Sequence, residues 1–357
     1  MPSQNPDETA TREEPRFRLN RREWLAGSAG VLGLWSLDTA TAHPLSAAMQ
    51  ESDTGTESSQ QQPYVLEDLG DGLYFLTNGT YQNMFLVTNE GVVVVDAPPS
   101  LVTSLFAAIE EVTNQPITHL VYSHYHADHI GGASLFDDEV EIIAHEMTEQ
   151  LLSQFDDPNR PAPTKTFAGS YNLEVGGGEL ELDYRGPNHT PDNLFIYAPD
   201  QAVLMLVDVI FPGWIPFKAL AVSQNIQGFI QAHETALRYD FETLVAGHLA
   251  EPGTRADVRT QLEFVTDLKA NAEAAIESVN FQSVAQEVGT DNPWVLFDAY
   301  LDALTEHAAA ATLETWAGRL RGAEVFMASH AETMVEALRI DYGILGPFGP
   351  PEEVGGA

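Results

Sequence analysis

Cysteine is absent from the 357 residues. That absence excludes disulfides, a thiolate nucleophile and thiolate metal ligands. A transition-metal site in this chain must therefore draw on imidazole, carboxylate and water. Cationic side chains are scarce as well: 16 Lys and Arg stand against 53 Asp and Glu, a formal net charge of −37, and the lysines are Lys165, Lys218 and Lys269. Phosphate recognition draws on Lys and Arg, so nucleic acid is not an expected partner. The acid is spread along the chain rather than gathered in a tail, which argues against a single acidic binding face. Charge of this size repels itself in dilute buffer and is screened in concentrated salt, so a salt-adapted protein and organism are expected. Long apolar runs are missing too. The run from Trp24 to Leu37 is rich in Gly, Ala and Ser and too short to span a bilayer comfortably.

Residues 20–25 read NRREWL, and the run that follows leads to TATA, an A-x-A-like end at Ala40 and Ala42. Arg21 and Arg22 before a short apolar run resemble a twin-arginine export signal. Residues 1–42 are therefore expected to direct export to the cell surface or the medium, with no stable membrane insertion once the signal is removed. A polar, low-complexity linker, ESDTGTESSQQQP at its heart, fills residues 43–63.

Strand patterns begin near Tyr64. GLYFLTNG and NMFLVTNEGVVVVDAPP read as strands, the second a hairpin turning at Asn89-Glu90-Gly91. Helical spacing follows in SLVTSLFAAIEEVTN, with Ser100 placed to cap it. ITHLVYS, EVEIIAH, ELELDYRG, NLFIYAP, AVLMLVDVI and FETLVAGH supply further strands. A weak internal repeat pairs MFLVTNEGVVVVDA with LFIYAPDQAVLMLVDV. Each reads as an apolar hairpin ending in Val-Asp, at Asp96 and Asp208, as two similar sheet halves would require. Beyond Gly253 the strand signals stop. Asn292-Pro293 reads as a helix start; Phe297, Leu301 and Leu304 share one helical face, and Met327, Ala331, Met334 and Leu338 share another. Residues 64–255 thus read as one strand-rich domain. Residues 256–357 read as a helical extension ending in the Gly/Pro-rich GPFGPPEEVGGA, open to a role as lid or as the contact of a homo-oligomer.

Histidine is unevenly placed. Three of the eleven fall in SHYHADHIGG, residues 123–132, with Asp128 among them. His124 and His126, two apart at a strand end, point the same way in extended geometry. Asp128 and His129 project differently once the chain turns toward Gly131-Gly132. One stretch can serve two neighbouring positions, yet it cannot surround either, because a metal ion needs donors from several directions. Further donors stand at strand exits: His189 in GPNHTPDN, Asp208 in LMLVDVIFP and His248 in LVAGHLAEPG. An unpaired carboxylate after so apolar a strand as the one before Asp208 would be costly.

Asp96, then HxHxDH, then His189, Asp208 and His248, in this order, resemble the metallo-β-lactamase fold superfamily over about residues 64–255. The resemblance implies an α+β fold, a four-layer αββα sandwich with its active site at one edge, here followed by the C-terminal helical extension. It also implies two metals, with His124, His126 and His189 on one, Asp128, His129 and His248 on the other, and Asp208 bridging. Asp96 is similar to the superfamily's buried aspartate, which orients ligands rather than binding metal. One group of true β-lactamases uses a Cys ligand, which this chain lacks. The Asp208 bridge resembles the glyoxalase II-like thioesterase, lactonase and phosphodiesterase branches. His126 departs from the HxExDH of flavo-diiron oxidoreductases, and Asp192 stands where the usual HTPGN turn has Gly.

Ligands of N and O make two Zn2+ the first choice, with Fe or Mn as alternatives. Two divalent ions against Asp128, Asp208 and one hydroxide leave a net charge of about +1, which favours an anionic intermediate. The reaction expected from the resemblance is attack of a hydroxide held between two metals on an ester, thioester, lactone or lactam carbonyl, with Asp128 orienting it or accepting the proton. A mononuclear iron oxygenase of the same fold acting on sulfur compounds, a β-lactamase and a non-catalytic binding protein are the alternatives. The expected partner is a small-molecule substrate. Trp214, Lys218 and Tyr81 are its candidate contacts, with Phe211 and Phe217 as companion walls and Gln82 beside Tyr81 in a flap. Ordinary packing for the aromatics, a solvated surface for Lys218 and a simple hairpin turn for Tyr81 and Gln82 stand beside those roles. His119, His145, His233, His307 and His330 read as structural.

Overall fold

An unbroken β-branched run such as Val92–Val95 is stable only where both faces of its sheet are covered. In the structure, a computed structural model that describes residues 64–349, both are. The expected export signal, linker and most of the Gly/Pro-rich tail lie outside the described residues.

The first sheet runs in chain order: β1 (Val65–Gly70), β2 (Leu73–Thr77), β3 (Gln82–Val87), β4 (Val92–Val95), β5 (Ile117–Val121), β6 (Glu141–His145) and β7 (Lys165–Phe167). The second holds β8 (Ser170–Val175), β9 (Gly178–Tyr184), β10 (Leu194–Ala198), β11 (Val203–Met205) and β12 (Thr243–Val245), in the order β12-β11-β10-β9-β8. The period of two along each strand sorts its side chains between layers. Val93 and Val95 face the other sheet, among Val121, Leu182, Ile196 and Met205. Val92 and Val94 turn outward and pack with Leu105 and Ile109 of the helix Val102–Val112. On the far side, Phe195 and Leu204 of the second sheet pack against the helices Ile226–Ala236 and Arg255–Ser278. Helix, sheet, sheet and helix give the four-layer α+β sandwich.

The C-terminal helices complete that outer layer. Trp316 of Pro293–Trp316 and Met327 and Met334 of Ala323–Ile340 belong to the same apolar core as Phe195 and Leu204. The Met327, Ala331, Met334 and Leu338 stripe is buried. In Pro293–Trp316 the buried row is instead Leu296, Tyr300, Leu304, Ala308, Thr312 and Trp316, while Phe297 and Leu301 are half-buried on its shoulder. A row at four-residue spacing lets this helix lie along both of its neighbours. Asn292 caps it as expected, accepting from the Trp294 and Val295 N–H groups. Ser100, by contrast, caps nothing: the N-cap of Val102–Val112 is Leu101, and the Ser100 carbonyl accepts from Asn78 Nδ2 at 3.2 Å.

The internal repeat is visible in the chain path. Each half pairs two strands antiparallel, β3 with β4 and β10 with β11, and then adds a parallel strand, β5 or β12. Asp96 and Asp208, which follow these hairpins, both have φ of 63°, a left-handed conformation rare outside glycine.

Two structural histidines set an acid limit on stability. His233 is fully buried, with Nδ1 2.8 Å from the Phe229 carbonyl, and Nε2 accepts from Gln261 Nε2 at 2.9 Å. His330 is fully buried and its Nδ1 accepts from the Leu220 N–H at 2.9 Å. Burial pushes both down to about 4 from the ordinary 6.5. The unfolded chain therefore binds these protons first, so their stabilisation is intact above about pH 6.5 and is lost as pH falls toward 4. By pH 5 each should have cost about 2 kcal/mol of stability. Urea unfolding at pH 7 and pH 5 checks this, because replacing both by Gln should flatten the difference.

Candidate metal centre

Strand ends deliver the candidate ligands. β5 ends at Val121, and the buried Tyr122 and Ser123 lead into His124. His126 keeps extended backbone, with φ of −63° and ψ of 139°, before the short helix Ala127–Ile130 turns Asp128 and His129 another way. His189 lies in the loop between β9 and β10, Asp208 just beyond β11, and His248 just beyond β12. All seven meet in two groups that share Asp208: His124, His126 and His189 in one, Asp128, His129 and His248 in the other, with the donor atoms of each group within 4.8 Å of one another.

The Asp208 carboxylate is the hinge of this geometry. Its Oδ2 lies 3.2 Å from the Nε2 atoms of both His129 and His189 and 3.6 Å from His124 Nε2, and its Oδ1 lies 2.9 Å from His248 Nε2. His126 Nδ1 is 3.0 Å from His189 Nε2, and the Nε2 atoms of His129 and His248 are 3.1 Å apart. Asp128 Oδ2 sits at the open rim, 3.5 Å from His129 Nε2 and 3.9 Å from His248 Nε2.

Behind this cluster the rings are held from outside. Asp96 is fully buried and touches no open space. Its two oxygens accept from the Ser123 N–H and hydroxyl, both at 2.7 Å, and the Ser123 oxygen lies 2.9 Å from His124 Nδ1. His129 Nδ1 is 4.0 Å from Asp96. Ser123 was not singled out from sequence, nor was a pair of asparagines. Asn83 Nδ2 donates to the Val95 and Asp96 carbonyls, and Asn193 Nδ2 donates to the Val207 carbonyl. Each asparagine opens a repeat hairpin (NMFLV and NLFIY) and braces the chain before or at its left-handed aspartate. The signal was present in that repeat. Asp192 keeps ordinary backbone and turns its buried side chain inward, where Oδ1 accepts from the Thr190 hydroxyl at 2.7 Å.

Gly247, before His248, has φ of 87°, and a Cβ there would lie 2.6 Å from Val207 Cγ1 and 3.3 Å from His129 Cε1. Gly247→Ala must displace one ligand-bearing segment against another. Metal content and turnover are expected to fall at least tenfold while the melting temperature drops by only a few degrees, as zinc titration and thermal unfolding would show.

The electrostatics fit a cationic occupant. Burial, then the neighbouring imidazoles, holds His124 well below its ordinary value, and burial with His189 takes His126 down to about 4. Both are neutral and present lone pairs, as metal ligands must. Burial opposes charge on His129 too, yet Asp208, Asp128 and Asp96 outweigh it and raise the ring to about 9. Burial opposes ionisation of Asp208, but His129 and His189 keep it an anion. Burial lifts Asp96 to about 6. The buried His124 Nε2 has no hydrogen-bond partner. Five imidazoles and two carboxylates aimed at shared points are a donor set for divalent cations.

Residues 77–248 match the family model described as the metallo-beta-lactamase superfamily. This segment is similar to that superfamily. Among curated proteins, the chain is 27% identical over 181 residues to the 2,4-dinitroanisole O-demethylase subunit alpha of Nocardioides sp. (strain JS1661), covering 49% of this chain and 55% of that one. It is 29% identical over 158 residues to the metallo-beta-lactamase type 2 of Elizabethkingia meningoseptica, covering 41% and 62%. The matches thus span little more than half the length of these relatives. A solved metallo-beta-lactamase from Pontibacter korlensis shares the fold at a TM-score of 0.51 and 21% identity, covering 57% of this chain and 99% of that one.

Over the ligand cluster lies a cavity of about 600 Å³, floored by His126, Asp128, His189, Asp208 and His248. Tyr81 and Trp214 line it, as do Phe211 and Phe217. The Tyr81 ring packs 4.8 Å from that of His248, and its hydroxyl lies 3.5 Å from Asp128 Oδ2. Burial and the Asp128 and Asp208 charges push that phenol up to about 12, so it stays protonated. Two expectations need correction. Lys218 is exposed and is not among the residues that line the cavity. Gln82 is not a flap residue: it is fully buried, donating to the Leu249 and Glu251 carbonyls and accepting from the Ala246 N–H. Phe326, from the final helix, also lines the cavity, and no motif marks it.

Proposed function

We propose that this superfamily domain is a dinuclear metal-dependent hydrolase of ester, thioester, lactone or lactam carbonyls, in the glyoxalase II and lactonase-like branch. The observation that carries the reading is Asp208, one carboxylate within 3.6 Å of four imidazole nitrogens from both donor groups. His124, His126 and His189 would hold one zinc, and Asp128, His129 and His248 the other. Bound there, divalent zinc supplies nucleophilic water at neutral pH and a positive centre for developing negative charge.

The chain's own groups do the rest. Ser123 and Asp96 fix the His124 ring from behind, the kind of support that keeps ligand geometry under load. Asp128, with 46% of its side chain exposed, faces the cavity and is placed to accept and return a proton at Oδ2. Tyr81, protonated beside it, donates toward that oxygen and packs its ring against that of His248. A mononuclear iron oxygenase would leave His129 or His248 without a task, whereas both rings face Asp208 as closely as His189 does.

Elemental analysis of the purified chain, paired with turnover of a panel of neutral esters, thioesters, lactones and a cephalosporin, tests the reading. The likeness to an O-demethylase subunit adds aryl ethers to the panel. Two zincs and hydrolysis of a carbonyl substrate support it; a single iron with no hydrolysis rejects it. Export is part of the same proposal and rests on Arg21 and Arg22, outside the described residues.

A further inference from the structure

We propose that the cavity over the ligand cluster receives an uncharged aryl group of the substrate, and that Phe326 of the final helix is its selecting wall. The reacting carbonyl in this picture rests on the hydrolase reading; the ring pocket does not.

Five aromatic side chains face the space: Tyr81, Phe211, Trp214, Phe217 and Phe326. A volume of about 600 Å³ accommodates a ring together with a reacting group beside the cluster. Aromatic walls offer edges and faces to a planar ligand, a fit that a flexible alkyl chain uses less well. Charge argues in the same direction. Among the described residues no Lys or Arg lines the cavity, so above the metal-binding floor an anionic tail meets no fixed cation on its walls. Arg321 approaches from behind, its guanidinium 4.9 Å over the Trp214 ring. In dilute buffer the net charge of −37 adds a field that repels anions at a distance, a contribution that salt screens. Cephalosporins carry a carboxylate and are disfavoured on both counts.

The walls are also fixed in place, and the C-terminal helices do the fixing. Ala219, Leu220, Ala221 and Val222 have φ of 54°, 52°, 59° and 48°, a left-handed turn made without glycine. Such backbone persists only where its surroundings over-determine it. Here Ser329 Oγ accepts from the Ala219 N–H at 3.0 Å and His330 Nδ1 from the Leu220 N–H at 2.9 Å. Ala221 and Val222 are thereby presented to the cavity. Phe217 and Phe326 meet edge to face at 5.3 Å, and the Arg321 backbone ties down Gly213 and Ile215 on either side of Trp214. A pre-set apolar wall avoids the ordering cost of closing around a ligand.

The test uses the full zinc-loaded chain and two probes that cannot be hydrolysed. Calorimetry should find that 4-phenylbutan-2-one, an uncharged aryl ketone, binds at least about tenfold more tightly than the anion 4-oxopentanoate. Phe326→Ala should weaken the aryl ketone roughly five- to tenfold with zinc content unchanged. Phe326→Leu and Phe217→Leu, which keep apolar bulk, serve if the alanine variant fails to fold and should each weaken binding about threefold. Equal binding of both probes, or aryl binding indifferent to these variants, overturns the proposal. In parallel, ethyl 3-phenylpropanoate should exceed monoethyl succinate in kcat/KM. If neither ester turns over while ring binding still depends on Phe326, the hydrolase reading fails and the aryl pocket stands.

Discussion

Asp208→Ala should strip both metals and lower kcat/KM by about 10³-fold or more, the scale of losing a preorganised charge at the reacting centre. Every other candidate ligand belongs to one donor group, and Asp208 belongs to both. Its removal leaves His129 and His189 facing each other's group with no anion between them, and a cation placed there would lose its shared oxygen. Asp208→Asn keeps the volume and removes the charge, so it should follow the alanine variant. Asp96→Asn should behave differently, because Asp96 bonds Ser123 and stands behind His129 at 4.0 Å rather than at the shared centre. There a loss of about 10–100-fold in metal affinity is expected. Elemental analysis and steady-state kinetics on the same preparations distinguish the cases. Two retained metals and full turnover in Asp208→Ala would reject the dinuclear scheme.

The melting temperature should climb by roughly 10 °C or more between about 0.1 M and about 2 M sodium chloride. The described residues hold five ion pairs that involve Lys or Arg, so most of the acid has no cation beside it. Screening must then come from solution. The Debye length falls from about 10 Å at 0.1 M to about 3 Å at 1 M, below the spacing of typical surface charges. Relief of several kcal/mol of self-repulsion, at about 2–4 °C per kcal/mol for a large domain, gives the stated rise. Sodium chloride is the informative salt, since sulfate would add stability by exclusion from the surface. Equal melting temperatures in the two solutions would defeat salt adaptation.

Much of this architecture was legible because its chemistry is local. SHYHADH places four polar donors where a buried strand ends, and nothing in a plain core asks for that density. Asp208 stood out because a carboxylate follows the apolar LMLV. Strands covered on both faces announce themselves as runs like VVVV, and the outcome followed. What escaped reading depends on long-range contact. Phe326 lies in a helix whose amphipathic stripe marks only its core side, Met327 and Met334, and says nothing about the neighbouring ring. The left-handed turn at 219–222 is written in Ala, Leu and Val, residues whose local preference opposes it, and it exists because Ser329 and His330 hold it. Lys218 misled for the same reason. Proximity in sequence to Asp208 placed it near the cavity, while the exposed side chain is not among those that line it.

The bond from Leu220 to His330 has a temporal meaning as well as a spatial one. On a ribosome, every candidate ligand has emerged once His248 is free, yet the cavity wall still waits for a segment translated much later. The last candidate ligand and the last piece of the wall are therefore far apart in the order of synthesis. Because those late helices share one apolar core with the residues flanking Asp208, a chain cut short before them lacks both its chamber and part of the packing beneath its donors.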